Sequence, residues 1–277
     1  GNDSQYQMLK QLELSEEYHL ELQQYSQNKG VKFFSTAFDP DGLEYLNTLG
    51  FEMFKVPSGE INNYFYLKKV ASFLKPVVLS SGMAKMEEIE QAIEVLIQGG
   101  LKMDDITVLH CNTEYPTPMK DVNLKAMLTI REKLGVKVGY SDHTLGIEVP
   151  IAAVAMGAMI IEKHFTLSRN LSGPDHRASL EPEELILMTK SIRNIEMAIS
   201  GSGMKEPSPS ERKNIQIARK SLYYSNDLKQ GQVIREEDLI ALRPGDGISP
   251  ISWYMIVGKK TRHFVKKDQR VLFEDLV

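Results

Sequence analysis

One cysteine, Cys111, stands in 277 residues, so an internal disulfide is excluded, and such usage suits a reducing cytoplasm. That residue closes the apolar run I-T-V-L-H-C and reads as packing rather than as a catalytic thiol. Long apolar runs are missing, with none near the ~20 residues of a membrane span. A basic excess is missing too: 33 Lys and Arg stand against 37 Asp and Glu, a net charge of −4, which argues against nucleic acid as a partner. An anionic small substrate would therefore need Lys and Arg gathered locally. No signal-peptide pattern occurs over Gly1 to Lys10. No G-x-G-x-x-G follows any apolar run, which weakens a dinucleotide site. The single tryptophan, Trp253, and the 13 scattered methionines read as core.

What is present is an alternation. With 42% hydrophobic and 25% charged residues, the chain is long enough for a large core and a small second domain. Leu9 to Lys29 patterns as an amphipathic helix divided by Ser15 as an N-cap, with His19 solvated among charges. From Gly30 onward, apolar or β-branched runs start near Val31, Glu52, Lys75, Ile106, Val136 and Ala158. Helical patterns over Asp41–Leu49, Asn62–Leu74, Met86–Ile97, Leu124–Leu134, Ile147–Met156 and Pro182–Ile199 alternate with them. Runs apolar on both faces and separated by helices predict an α/β fold with a parallel sheet. The unit length suits a (β/α)8 barrel or a doubly wound sheet.

Polar groups decide between the two. They end every run: Ser35 and Thr36, Lys55 and Ser58, Ser80 and Ser81, His110 to Thr113, Ser141 to His143, and Glu162 to His164. A doubly wound sheet gathers its ligand groups at one switch point, whereas a barrel collects them around its C-terminal mouth. The barrel is favoured. Six strands are counted and a barrel needs eight, so two more strands are expected ahead of Gly1, with part of the site on them.

Within this frame Gly139 to Phe165 delivers His143 and His164 from neighbouring β-segments, where strand ends hold imidazoles rigidly enough to ligate a divalent ion. A structural role is the alternative for each. Lys55 is a cation inside the apolar M-F-K-V-P, where a charge needs a partner. Thr36, Ser58, Ser80 and Ser141 are neutral donors suited to an anion, or else turn and cap residues. Glu60, five residues after Lys55, could handle protons or cap the following helix. Asp175 lies in S-G-P-D-H, which is also good turn chemistry. His110 and His263 read as structural.

Residues 1–200 form the expected barrel domain, 201–214 a linker begun by the Gly/Ser/Pro stretch G-S-G-M-K-E-P-S-P-S, and 215–277 a small domain. Inside the last, L-K-Q-G-Q-V-I-R-E-E-D-L at Leu228 recurs as V-K-K-D-Q-R-V-L-F-E-D-L at Val265, which suggests internal two-fold character. Arg243, before the Pro244-Gly245 turn, is a surface charge or a clamp for a polar ligand.

In order, F-F-S-T-A-F-D, F-K-V-P-S-G-E, V-L-S-S-G-M, L-H-C-N-T-E-Y-P-T-P, G-Y-S-D-H-T-L-G, E-K-H-F-T and S-G-P-D-H resemble the bacterial sialic acid synthases, the phosphoenolpyruvate-dependent N-acetylneuraminate synthase family with its legionaminate and pseudaminate branches. The tail resembles that family's SAF (antifreeze-like) domain, so the likeness runs from about Ser4 to Val277. It implies a (β/α)8 TIM barrel, here without its first two strands, joined to the SAF domain. Earlier strands of that family carry a glutamate near an N-H-N-G-type segment and lysines that grip phosphoenolpyruvate.

The implied reaction is a condensation in which C3 of phosphoenolpyruvate attacks the aldehyde carbon of an open-chain N-acetylated hexosamine. Water adds at C2 and phosphate leaves by C–O cleavage, giving a nonulosonic acid. His143 and His164 match the family's metal pair, with Mn2+ implied first and Mg2+ or Co2+ as alternatives. By the same resemblance Thr36, Lys55, Ser58, Ser80 and Ser141 line the phosphoenolpyruvate pocket, with Asn112 or Thr113 beside the phosphate and Tyr115 adjoining. Asp175 matches the family's aspartate that contacts the sugar hydroxyls and assists proton transfer, and Glu60 is the candidate to handle protons as the tetrahedral intermediate forms and collapses. Arg243 is implied to reach a partner subunit's mouth in a domain-swapped homodimer. Two other readings stand beside this one: another phosphoenolpyruvate-dependent 3-deoxy-sugar synthase or metal-dependent pyruvate aldolase, and a non-catalytic carbohydrate-binding fragment.

Overall fold

The structure, a computed structural model, describes residues 7, 10 and 12–277, so the start of the helix expected from Leu9 lies outside the described residues. The chain divides into two compact units, Gly1–Gly201 and Ser202–Val277.

Among the described residues of the first unit, α1 (Glu16–Asn28) has the N-cap Ser15, which accepts the Tyr18 amide. Helices then alternate with strands: α2 (Pro40–Thr48), β1 (Phe54–Val56), α3 (Tyr64–Ser72), β2 (Val77–Ser80), α4 (Met86–Gln98), β3 (Ile106–Cys111), α5 (Lys125–Leu134), β4 (Lys137–Asp142), α6 (Glu148–Ala155), β5 (Ile161–Lys163) and α7 (Pro182–Ile199). Caps in the sequence set several starts. Asp39 accepts the Gly42 amide with Pro40 at the first turn, and Asn63 accepts the Tyr66 amide. Ile89, Ala92, Ile93 and Leu96 of α4 recur at helical spacing and are all buried against the sheet.

All five strands are parallel and lie in sequence order, β1-β2-β3-β4-β5. A doubly wound sheet would reverse its order at a switch point, so this winding is that of a barrel wall. The curl can be read from one contact. Laid flat, four strand spacings of about 4.8 Å would part β1 from β5 by about 19 Å, yet Lys55 Nζ of β1 lies 2.6 Å from Glu162 Oε2 of β5. Residues on the outer face, such as Phe54, Val56, Leu79, Val108, Val138 and Tyr140, pack beneath the helices as the main core.

Four expectations are corrected. The run from Val31 is no strand: residues 31–37 carry no ladder bonds, although Phe33 packs on the core and Lys32 pairs with Glu52 beside β1. Its β-branched and aromatic residues are used for packing, without a backbone partner. His19 is buried rather than solvated, its ring nitrogens 2.9 Å from the Ser15 carbonyl oxygen and 3.1 Å from Ser35 Oγ. Trp253 and several methionines, including Met83 and Met159, are exposed, because they sit on turns and outer faces. The expected linker is half helix: α8 (Pro209–Ala218) begins at a capping box made by Ser208 and Glu211.

The second unit pairs β6 (Ser221–Tyr224) antiparallel with β7 (Leu239–Leu242) over a core of Leu222, Tyr224, Leu228, Ile234, Val265 and Val271. The pseudo-repeat is structural. Gln232 Oε1 accepts the Lys229 amide and Gln269 Oε1 the Lys266 amide, each at 3.1 Å. Asp238 and Asp275 accept the Arg235 and Leu272 amides likewise, and Leu228 and Val265 exchange both backbone bonds.

Candidate active site

Strand register sorts the rim residues onto one face. Lys55 pairs with Val78, Ser80 with Leu109, Cys111 with Ser141, and Ser141 with Glu162. Period-two alternation therefore turns Lys55, Ser80, Cys111, Ser141 and Glu162 to the concave side, and His143 and His164 follow on the same side two residues on.

Three neighbouring groups of contacts arise. In the first, the Lys55–Glu162 pair is completed by Ser141 Oγ, which donates to Glu162 Oε1 at 2.7 Å. Burial pushes the Glu162 carboxyl up, but the Lys55 ammonium and the Ser141 hydroxyl outweigh it and hold the group below its ordinary value. In the second, Ser58 Oγ accepts the Gly82 amide at 3.0 Å and lies 3.5 Å from Cys111 Sγ. Thr113 closes on the same spot, since a Cβ at Gly82 would stand 2.6 Å from Thr113 Cγ2. Burial pushes the Cys111 thiol up, which disfavours a thiolate there.

The third group holds the histidines. His143 and His164 have ring centroids 5.3 Å apart, and Tyr115 lies against both, at 4.1 and 5.3 Å. His143 Nδ1–H donates to the Asn112 carbonyl at 2.5 Å, which leaves Nε2 with its lone pair. Burial lowers the His143 pKa, opposed by that hydrogen bond and helped by His164, so the ring is neutral and able to ligate. Asp175 Oδ2 lies 3.6 Å from His164 Nδ1.

The remaining predicted residues spread out. The Ser80 hydroxyl is buried without a partner among the described residues, a donor on the concave side that a ligand could satisfy. Asn112 uses its side-chain oxygen on the Glu114 amide at 2.7 Å and its carbonyl on His143. Glu60 accepts from Asn63 Nδ2 at 2.6 Å, at the start of α3, the capping setting that the sequence left open. Thr36 is half-buried on the irregular segment ahead of Ala37. Arg243 belongs to the second unit, exposed, with Nε donated to the Ala218 carbonyl at 3.1 Å. His110 Nε2–H donates to the Val122 carbonyl at 2.9 Å, and His263 Nε2 lies 3.1 Å from Asp275 Oδ1.

Sequence reasoning passed over Glu162, although its place two residues before His164 in E-K-H was the available signal. For a metal, no three His, Cys, Asp or Glu side chains converge among the described residues. The imidazole pair with open positions is compatible with a borderline divalent ion that takes further ligands from substrate or water.

Residues 1–205 match the NeuB family and residues 219–277 the SAF domain. The N,N'-diacetyllegionaminic acid synthase of Campylobacter jejuni is 48% identical over 271 residues, covering 98% of this chain and 81% of that protein. The enzyme of the same name from Legionella pneumophila is 44% identical over 277 residues, covering 99% and 78%. In structure, the N-acetylneuraminic acid synthetase of Leptospira borgpetersenii, solved with citrate, aligns with a TM-score of 0.72 at 37% identity over 77% of this chain and 74% of that one. A sequentially wound parallel sheet, polar groups on its concave rim and these likenesses agree: the chain belongs to the NeuB family and ends in a SAF domain.

Proposed function

We propose that this protein condenses phosphoenolpyruvate with an N-acetylated hexosamine, taking up water and releasing phosphate, to form a nonulosonic acid. A 2,4-diacetamido-trideoxyhexose is the proposed acceptor, in keeping with the 48% and 44% identity to two diacetyllegionaminic acid synthases against 34% to the human N-acetylneuraminate-9-phosphate synthase. The observation that carries the reading is the meeting of Lys55, Glu162 and Ser141 with His143, His164 and Tyr115 on one curled rim.

Each part of the reaction has residues suited to it. Lys55, with Ser58, Ser80, Thr36 and Thr113, would hold the phosphate and carboxylate of phosphoenolpyruvate. His143 and His164 would hold a divalent ion, Mn2+ in this proposal, which when bound polarises the sugar aldehyde oxygen as a Lewis acid. Glu162 and Glu60 are the carboxylates available to move protons as water adds at C2 and the C–O bond to phosphate breaks. Tyr115 walls the site, and Asp175 offers its carboxylate to sugar hydroxyls. The same proposal includes a homodimer in which the partner subunit's Arg243 completes the sugar site, and a cytoplasmic setting. No helix among the described residues is long and apolar enough to cross a membrane.

Phosphate release from phosphoenolpyruvate with Mn2+ and a panel of sugars tests this. Release is expected with acetamido sugars, and roughly tenfold or more faster with the diacetamido one than with N-acetylmannosamine, because a pocket built to hydrogen-bond the second acetamido group rejects its absence. Release with unacetylated aldoses alone would turn the reading to another 3-deoxy-sugar synthase. Metal-dependent sugar binding without release would turn it to a binding fragment.

A further inference from the structure

Behind the two histidines lies a buried ion pair that the reaction does not use. Asp142 and Lys163 are register partners at the ends of β4 and β5, and each immediately precedes one of the imidazoles, His143 and His164. Alternation along the strands turns them away from the rim and onto the core face, beside Tyr140 and Ile161. There Lys163 Nζ lies 2.5 Å from Asp142 Oδ2, with side chains 3% and 0% exposed.

The pair also engages every polar group of Thr144, the residue after His143. Asp142 accepts the Thr144 amide at 3.0 Å and the Thr144 hydroxyl at 3.1 Å, while Lys163 donates to the Thr144 carbonyl at 2.6 Å. His143 is therefore flanked on both sides by residues tied to the strand that carries His164. On the rim side its carbonyl accepts the Thr117 amide at 2.9 Å and its ring is held by Asn112.

A buried ion pair contributes little net stability, since desolvation of both charges offsets their attraction and an apolar pair of similar volume can pack as well. Direction is what it supplies: charged hydrogen bonds at these distances, shared among Asp142, Lys163 and Thr144, tie the two strand ends in one arrangement. We propose that Asp142 and Lys163 are positioning residues that set the spacing and ring orientation of His143 and His164, and through them the affinity of that pair for a divalent ion. The proposal rests on the metal reading given above.

The apolar double variant Asp142→Leu/Lys163→Met and the single variant His143→Ala are compared with the parent by two readouts. One is Mn2+ binding, followed by the paramagnetic resonance signal of the free ion. The other is the proton resonance of the His143 Nδ1–H that is donated to Asn112. The double variant is expected to melt near the parent, to bind Mn2+ about tenfold or more weakly, as losses of ligand-orienting contacts generally do, and to lose the protected Nδ1–H signal. Unchanged affinity with an unchanged resonance in the folded double variant would overturn the proposal. If the parent binds Mn2+ no better than His143→Ala, the metal reading fails instead, and the ring resonance alone decides on positioning. Should the double variant not fold, Asp142→Asn, which keeps an acceptor for the Thr144 amide, carries the same two readouts.

Discussion

Glu162→Gln isolates the electrostatics of the rim. The change keeps the side-chain shape, and the amide oxygen still accepts from Ser141, but Lys55 loses its counter-ion. Removing one partner of a fully buried pair costs about 3–5 kcal/mol, whereas an exposed pair is worth about 0–1 kcal/mol. Here Lys55 is 12% exposed and Glu162 35%, so solvent screening on the Glu162 side brings the expected loss to about 2 kcal/mol. The pH dependence has a definite sign. Folding holds the Glu162 carboxyl below its ordinary value, so its stabilisation is full above the unfolded carboxylate value of about 4.3 and is lost as the pH falls through the folded-state value. The gap between parent and variant is then widest at neutral pH and closes in acid. Trp253 lies in the second unit, so its fluorescence follows that unit, and urea unfolding of the first unit is read by helical circular dichroism. A gap that is the same at about pH 7 and about pH 3, or a variant more stable at neutral pH, would refute the reasoning.

Two glycines give further tests. Gly82→Ala would place a methyl 2.6 Å from Thr113 Cγ2 and 2.7 Å from Ser58 Oγ, and the displaced donors should raise the KM for phosphoenolpyruvate by about 10–100-fold in a folded protein, read from steady-state phosphate release. In Gly139→Ala the new methyl meets the Ile160 carbonyl oxygen and Leu109 Cδ2, each at 2.5 Å. Because Ile160 accepts the Tyr140 amide there, overpacking should cost about 2–3 kcal/mol, seen as a lower melting temperature by circular dichroism.

Much of the fold could be read from the sequence because local and tertiary signals agree. Helices α2 to α7 fall within a residue or two of their periodic patterns, since Asp39-Pro40, Asn63 and Pro182 mark their starts. The segment from Val31 shows the limit: β-propensity describes a side chain's fit to a sheet surface, and a strand also needs a paired backbone. Ser208 to Glu211 is a capping box hidden in linker composition, where Ser and Pro serve a turn or a helix start equally.

At the site, Lys55 stood out as a charge inside an apolar run and the two histidines as imidazoles at the ends of neighbouring β-segments. Glu162 and the Asp142–Lys163 pair did not, because a charge next to a charge in one dimension resembles a solvated edge. Only the register shows that Ser141 meets Glu162 on one face while Asp142 meets Lys163 on the other. Lys55 and Glu162 stand far apart in the chain, and the curl that joins them is a property of the whole sheet.

The central claim is that His143 and His164 form the reaction centre of a phosphoenolpyruvate-dependent synthase. Mn2+-dependent phosphate release with phosphoenolpyruvate and the diacetamido sugar, measured on the parent and on folded His143→Ala, tests it most directly. The account predicts release by the parent, equimolar with nonulosonic acid formed, and a loss of roughly a hundred- to a thousandfold in the variant, the order of effect seen when electrostatic stabilisation of a reacting oxygen is removed. Release by His143→Ala at the parent's rate, or release with no nonulosonic acid formed, would contradict it.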